Sequence, residues 1–201
     1  MMRQIAMLLS GNALSQLVNV VTILFVVTTY IAPAEFGRYA VLMSYVGILS
    51  TIACLRYELA IVSVRRSRVA NNFVFLCLVV ATVFSALVLA VFQFTELLLG
   101  DAFLLGASSL MIVALIFLKA IDQICAAVLY RQEAYLTYSV LKLMQALVLF
   151  AGFTAVGVTG LGAEGLLYAT ACAYAAFALA GIIAVRRYDV RSGVDLSLIH
   201  I

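Results

Sequence analysis

Charge is scarce in this chain of 201 residues: Lys+Arg 12 and Asp+Glu 9 make up 10% of it, against about 25% in a soluble globular protein. So few charges do not cover a water-facing surface, which excludes an ordinary soluble domain. A net charge of +3, with arginines scattered between apolar runs, leaves no basic face for a nucleic-acid backbone. Histidine occurs once, as His200 near the end. There is no HExxH, no GxSxG and no acidic pair at ligand spacing, so the usual groundwork for acid–base, metal or nucleophilic catalysis is missing and no cofactor is expected. The four cysteines, Cys54, Cys77, Cys125 and Cys172, lie far apart inside apolar segments without a CxxC or Cys/His pair. They read as small apolar residues buried in helices, with neither a zinc site nor a disulfide framework. The one proline, Pro33, is expected in the first loop, where its missing N–H does no harm.

What the chain has in excess is apolar surface. Hydrophobic residues make up 67% and the mean hydropathy is +1.21, where about 45–50% apolar residues is usual. The excess needs lipid as its solvent, and a spanning helix takes about 20 mostly apolar residues at about 1.5 Å each. Six such stretches are expected at 8–31, 39–62, 73–95, 103–128, 137–158 and 165–185, in an all-α polytopic membrane bundle. Between them lie charge and turn chemistry: Pro33 to Arg38, Arg65 to Arg68, Glu96 to Asp101, Arg131 to Glu133, Gly160 to Glu164, and Arg186-Arg187. The first run is too long for a signal peptide and lacks a small-x-small cleavage site before Pro33, so it reads as a retained helix. Arg3, Arg65, Arg66, Arg68, Arg131, Arg186, Arg187 and Arg191 fall on one side of the bundle. The other side has Arg38 and the acids Glu35, Glu96, Asp101 and Glu164. By the positive-inside rule the N-terminus is expected in the cytoplasm.

Polar residues inside the spans are the informative ones. Asn12, Ser15, Gln16, Asn19 and Thr22 share one face of the first helix, and Tyr135, Tyr138, Ser139, Lys142 and Gln145 form a like stripe on the fifth. Such stripes do not face lipid; they either bond between helices or line a polar cavity, and the cavity is the reading taken here. Arg56, Glu58, Lys119, Asp122 and Lys142 are ionisable residues within spans, each costing about 2.5–3.5 kcal/mol or more at the bilayer centre. Counted from Arg65, Arg131 and Glu133, residues Arg56, Asp122 and Lys142 each lie about 13 Å along a helix. One level of charge across several helices is what an inward-facing site would produce. Lys119 and Asp122, three apart, are expected to pair; Arg56 and Glu58 point to nearly opposite sides, so only one of them can face a cavity. Gly165, Ala169, Ala173, Ala176 and Ala180 give the sixth helix a small-xxx-small pattern, which reads as packing with no chemistry.

The last six residues, Leu196 to Ile201, are what CTG TCT CTT ATA CAC ATC encodes, which resembles the transposase end of sequencing adapters. They are expected to be an artefact, with residues 1–195 as a transmembrane lobe and a C-terminal lobe missing.

Leu55-Arg56-Tyr57-Glu58-Leu59-Ala60-Ile61-Val62, preceded by Pro33-Ala34-Glu35-Phe36-Gly37-Arg38-Tyr39, resembles the front of the oligosaccharide flippase family, Wzx-type polysaccharide biosynthesis proteins of the MOP superfamily. Gly11 to Leu17 is similar to the polar opening of that family's first helix, and Leu129 to Tyr135 to its loop between helices 4 and 5. The resemblance spans about residues 8 to 187. It implies the N-terminal half of a two-lobe transporter in the bacterial cytoplasmic membrane. Its cargo would be an undecaprenyl-pyrophosphate-linked glycan for O-antigen, capsule or exopolysaccharide, moved by alternating access coupled to H⁺ or Na⁺. Membrane lipids, a polysaccharide polymerase and assembly proteins would be its partners. Arg56, Lys119 and Lys142 would then hold the pyrophosphate, Asp122 or Glu58 would couple to the ion, and Asn12, Gln16, Asn19, Tyr138 and Gln145 would line the cavity. The alternative is a multidrug exporter of the same superfamily, whose cationic substrates suit this excess of Lys and Arg poorly. A membrane-embedded glycan-processing enzyme is the rival from another class, and it lacks a nucleophile.

Overall fold

The computed structural model describes residues 2–64, 67–99 and 108–191, with residues 2–11, 67, 68, 99 and 187–191 described by their backbone alone. Arg65, Arg66, Asp101 and the tail 196–201 lie outside the described residues, as does the start of the expected fourth span at 103. Among the described residues all regular structure is helical. In a bilayer every backbone N–H and C=O must be satisfied within the segment, which leaves helices as the economical solution for these apolar runs.

Helix α1 (Met2–Val21) widens through a π-helical turn (Thr22–Val27) into a last turn, α2 (Thr28–Tyr30). There follow α3 (Pro33–Ala53), α4 (Glu58–Ser63), α5 (Ser67–Leu99), α6 (Ser109–Arg131), α7 (Tyr135–Thr159) and α8 (Gly162–Arg191). Among the described residues, six stretches are long and apolar enough to cross a membrane: Asn12–Tyr30, Pro33–Ala53, Val69–Leu98, Ser109–Arg131, Tyr135–Thr159 and Gly162–Arg186. The molecule is an all-α polytopic bundle. Isolated hydroxyls within spans turn back on their own helices: Thr51 donates to the Gly47 carbonyl at 2.9 Å, Thr82 to Leu78 at 2.7 Å and Thr154 to Phe150 at 2.8 Å. These residues are thereby neutral toward lipid and need no partner helix.

Helix α6 is central, packing on α3, α4, α5, α7 and α8, and more than half of its span is buried. Its apolar face, with Ile112, Leu115, Ile116 and Ala120, meets Leu42, Val46, Cys77 and Ala81 of α3 and α5 in the main core. Helix α7 lies between α1 and α8. Gly152 allows the α7–α8 approach, since a Cβ there would come within 2.7 Å of the Ala169 Cβ. Close backbones of this kind replace the hydrophobic effect as the source of cohesion in lipid.

Most ends shift by a few residues, and two departures from expectation bear on the site. Pro33 does not lie in a loop: it opens α3, where its lack of an N–H coincides with the donor-free first turn, and the residues to Arg38 are helical. The expected continuous span 39–62 is broken after Ala53. Leu55 (φ 48°) and Arg56 (φ 61°) turn the chain through the left-handed region before α4 begins. Arg56 and Glu58 lie at the break, but charges between apolar residues read as polar positions within one span as readily as a break, so composition alone does not place it. Arg131, at the end of α6, holds α4 in place by donating to the Ile61 carbonyl at 3.0 Å and to the Val64 carbonyl. The helical count that placed Arg56 level with Asp122 and Lys142 therefore does not apply to Arg56.

At the opposite end, α7 stops at Gly160 (φ 71°), whose N–H donates to the Val156 carbonyl at 2.9 Å. Glu35 of α3 accepts from the Ala163 N–H at 2.7 Å, so a carboxylate sits on the positive end of α8. Gly162 (φ 61°) is needed there twice over, since a Cβ would also stand 2.8 Å from Glu35 Oε2.

Candidate functional site

Five helices converge on one cavity of about 450 Å³. Helix α1 contributes Asn12, Ser15, Gln16 and Asn19; α3 contributes Tyr39 and Met43; α6 contributes Lys119 and Asp122. The remaining wall is Tyr138, Lys142, Gln145, Ala146 and Leu149 of α7 with Thr170, Ala173 and Tyr174 of α8. The two polar stripes do face each other across a shared space. Of the candidate residues, Lys119, Asp122, Lys142, Asn12, Gln16, Asn19, Tyr138 and Gln145 all line it. Thr22 leaves the stripe: it is buried and donates to the Val18 carbonyl at 2.8 Å. Tyr135 stacks near Tyr130 instead, with ring centroids 6.2 Å apart.

Arg56 and Glu58 are absent from the cavity wall. Arg56 is exposed in the left-handed turn. Glu58 is buried at 9% exposure under α4, and its Oε2 has no hydrogen-bond partner among the described residues. Its helix packs on α5 and α6, away from the polar wall. The break explains both positions, because it turns the RYELAI stretch out of the line of α3.

The expected Lys119–Asp122 pair is not formed. Asp122 is taken by Lys142, whose ammonium donates to Oδ1 at 3.0 Å and Oδ2 at 2.9 Å. The third ammonium proton goes to Gln145 Oε1 at 3.0 Å. The rings of Phe177 and Tyr138 flank the same nitrogen at 4.5 Å and 5.8 Å from their centroids. An α6–α7 bridge wins over the same-helix pair because Lys142 reaches both carboxylate oxygens at once and finds a third acceptor on its own helix. Lys119 runs the other way, toward α3, where Gly47 leaves room: its Nζ is 3.8 Å from the place a Cβ would occupy. No hydrogen bond or ion pair of Lys119 occurs among the described residues. The site thus holds one lysine whose donors are all engaged and one whose donors are not.

Helix α8 is more than packing. Its small residues do bring α7 close, but Thr170 and Tyr174, one turn apart, present polar atoms to the cavity. Thr170 donates to the Leu166 carbonyl at 2.8 Å, so the 2.9 Å contact with Tyr39 is a bond donated by the Tyr39 hydroxyl. Tyr39 is further held edge-on by Phe153 at 5.5 Å. The i, i+4 spacing of Thr170 and Tyr174 was the signal in the sequence, masked by the alanines around it. Cysteines Cys54, Cys77 and Cys125 are buried as expected, whereas Cys172 is exposed. No cluster of metal-ligating side chains occurs among the described residues.

Compared with protein-family models, curated proteins and solved structures, the chain matches none. The reading of the cavity rests on its own residues.

Proposed function

We propose that the chain is a lobe of a flippase for lipid-linked oligosaccharides, which receives the pyrophosphate of an undecaprenyl-pyrophosphate-linked glycan in the five-helix cavity. The observation that carries this reading is the Lys119 ammonium, which lines a polar cavity inside a membrane-spanning bundle and has no hydrogen bond or ion pair among the described residues. A bare cation at that depth is costly unless water or an anion meets it. Lysine, a compact point charge, suits a phosphate that must be released again. Hydroxyl and amide groups from α1, α7 and α8 supply the hydrogen-bonding wall that a sugar needs and hydrocarbon cannot offer. The net positive charge of the wall favours this cargo over the cations of a multidrug exporter.

The setting is the bacterial cytoplasmic membrane with the N-terminus inside. Arg131 and Arg186 lie at the end of the bundle shared by α4, while Glu35 and Glu164 lie at the other, as the positive-inside rule requires. Transport by alternating access would rock this lobe against a second one.

Binding of inorganic pyrophosphate and of undecaprenyl pyrophosphate to the purified chain in nanodiscs tests the reading. Lys119→Ala is expected to weaken both by roughly tenfold or more, as loss of a hydrogen bond to a charged group implies. Unchanged affinity in that variant, or no binding of either compound by the wild type, would overturn it.

A further inference from the structure

Helix α3 has 21 residues, a length of about 31 Å, which by itself matches the roughly 30 Å of hydrocarbon in a bilayer. The bend at Leu55 and Arg56 and the six residues of α4 therefore come where acyl chains give way to headgroups. Arg131 fixes the same level independently, since the last turn of α6 donates to the Ile61 and Val64 carbonyls. Glu58 and Ile61 turn inward and are buried, whereas Leu55, Tyr57, Leu59 and Val62 are 40–60% exposed. Arg56 is exposed among them, and no hydrogen bond or ion pair of its side chain occurs among the described residues. An apolar face with a tyrosine and an arginine at this depth is the composition of an interfacial element. The backbone adds an argument of its own. At φ 61° glycine is the residue of least strain, so an arginine there keeps its side chain at a conformational cost. Residues held in such conformations cluster at ligand clamps. The ring of Tyr57, next in the chain, is braced by Phe73 of α5 at 6.3 Å between centroids.

We propose that the bend and the outer face of α4 form a binding site for one anionic phospholipid of the surrounding bilayer. The Arg56 guanidinium takes the lipid phosphate as a two-pronged donor, which a zwitterionic headgroup matches less well because its own cation already offsets the phosphate. The Tyr57 hydroxyl serves the headgroup at the boundary, and Leu55, Leu59 and Val62 receive the acyl chains. Arg56 thus works outside the cavity, on a lipid that stays in place, and has no part in holding the cargo. This site needs only the membrane-spanning bundle and is independent of what the cavity carries. With the end of the bundle that holds Arg131 and Arg186 in the cytoplasm, it faces the leaflet whose surface is negative.

Native mass spectrometry of the full chain, released from detergent with phosphatidylglycerol and phosphatidylcholine of matched acyl chains, reads the site. The wild type is expected to retain one phosphatidylglycerol about fivefold better than phosphatidylcholine, the preference that one arginine at a headgroup supplies. Arg56→Gly suits the left-handed backbone, so the bend survives while the preference is expected to vanish. Arg56→Lys keeps the charge and is expected to hold the preference to within about twofold. Arg186→Ala removes an equal exposed charge from the same end and is expected to leave it unchanged. Should Arg56→Gly fail to fold, Tyr57→Phe keeps the ring against Phe73 and is expected to weaken retention about threefold by loss of one hydrogen bond. Equal retention of the two lipids by the wild type, a preference that survives Arg56→Gly, or an unaltered Tyr57→Phe overturns the site. An equal loss in Arg186→Ala also overturns it, because the attraction would then be diffuse surface charge. Glycerol phosphate in excess is expected not to displace the lipid, since it lacks acyl chains; displacement overturns the lipid as the occupant. Binding of inorganic pyrophosphate to Arg56→Gly is expected to match that to the wild type, since Arg56 is absent from the cavity wall. Joint loss of lipid and pyrophosphate would return Arg56 to the cargo and overturn the proposal, whereas a wild type that binds the lipid without pyrophosphate would sink the cargo reading alone.

Discussion

Two buried carboxylates, Asp122 and Glu58, stand in opposite circumstances in the described bundle. Asp122 lies between α6 and α7 with both oxygens engaged by one ammonium. Glu58 lies beneath a six-residue helix with Oε2 unpartnered. Both interrupt apolar runs, and both would be costly in hydrocarbon. The first is offset by pairing across helices and by an opening into a polar cavity. The second follows a backbone turn in which Leu55 and Arg56 occupy the left-handed region, a conformation costing roughly 1–2 kcal/mol per residue outside glycine. One region is consolidated by its charge, whereas the other holds an acid with an oxygen that has no hydrogen-bond partner among the described residues, beside a bend held by backbone bonds and by Arg131.

The comparison breaks most sharply at Asp122. Asp122→Ala leaves the partly buried Lys142 beside aromatic rings with Gln145 as its remaining acceptor. Removing one partner of a fully buried pair costs about 3–5 kcal/mol, because the charge left behind is uncompensated; here Lys142 keeps 21% exposure on the cavity, so the cost is expected at or below the lower end of that range. Thermal unfolding in detergent is expected to show that loss, and Asp122→Asn/Lys142→Met to recover most of it. If the double variant were no more stable than Asp122→Ala, the pair would not be the source of the cost.

Glu58→Met is expected to act in the opposite direction. It keeps the volume of the side chain and removes a buried acceptor that has no partner among the described residues, so the bundle gains about 1 kcal/mol. Pyrophosphate binding should be unchanged, since α4 does not reach the cavity wall. Destabilisation by a similar amount would mean that Glu58 is satisfied in the membrane, and the contrast with Asp122 would fall.

These differences also explain which parts of the molecule were legible in the chain. The stripes on α1 and α7 were readable because residues three and four apart share a helix face whatever surrounds them, and a polar face in lipid has few places to go. The six spans were readable for the same reason: length and apolarity suffice. Partner choice across helices was not. Lys119 and Asp122 are near neighbours on α6, yet Lys142 arrives from α7 with better geometry, and spacing along one helix carries no information about the next. The bend at Leu55 and Arg56 was hidden because apolar residues flank Arg56 and Glu58 on both sides, so the charges read as polar positions within one span, with neither proline nor glycine to mark a stop. Thr170 and Tyr174 were obscured by a small-residue pattern that correctly described the opposite duty of α8.

The smallest effect isolates the bend itself. Arg56→Ala and Arg56→Gly both remove an exposed side chain, so their difference reports the backbone at φ 61°. At an ordinary helical position glycine is less stable than alanine by about 0.5–1 kcal/mol, because its unfolded chain is freer. At a left-handed position the order inverts, since alanine keeps the Cβ clash that glycine lacks. Arg56→Gly is therefore expected to be the more stable of the two by up to about 1 kcal/mol, read as a modest rise in unfolding temperature. A helix continuous through residue 56 would give the reverse order. That sign decides whether Glu58 belongs to the line of α3, where it could approach the cavity, or to a separate helix turned away from it.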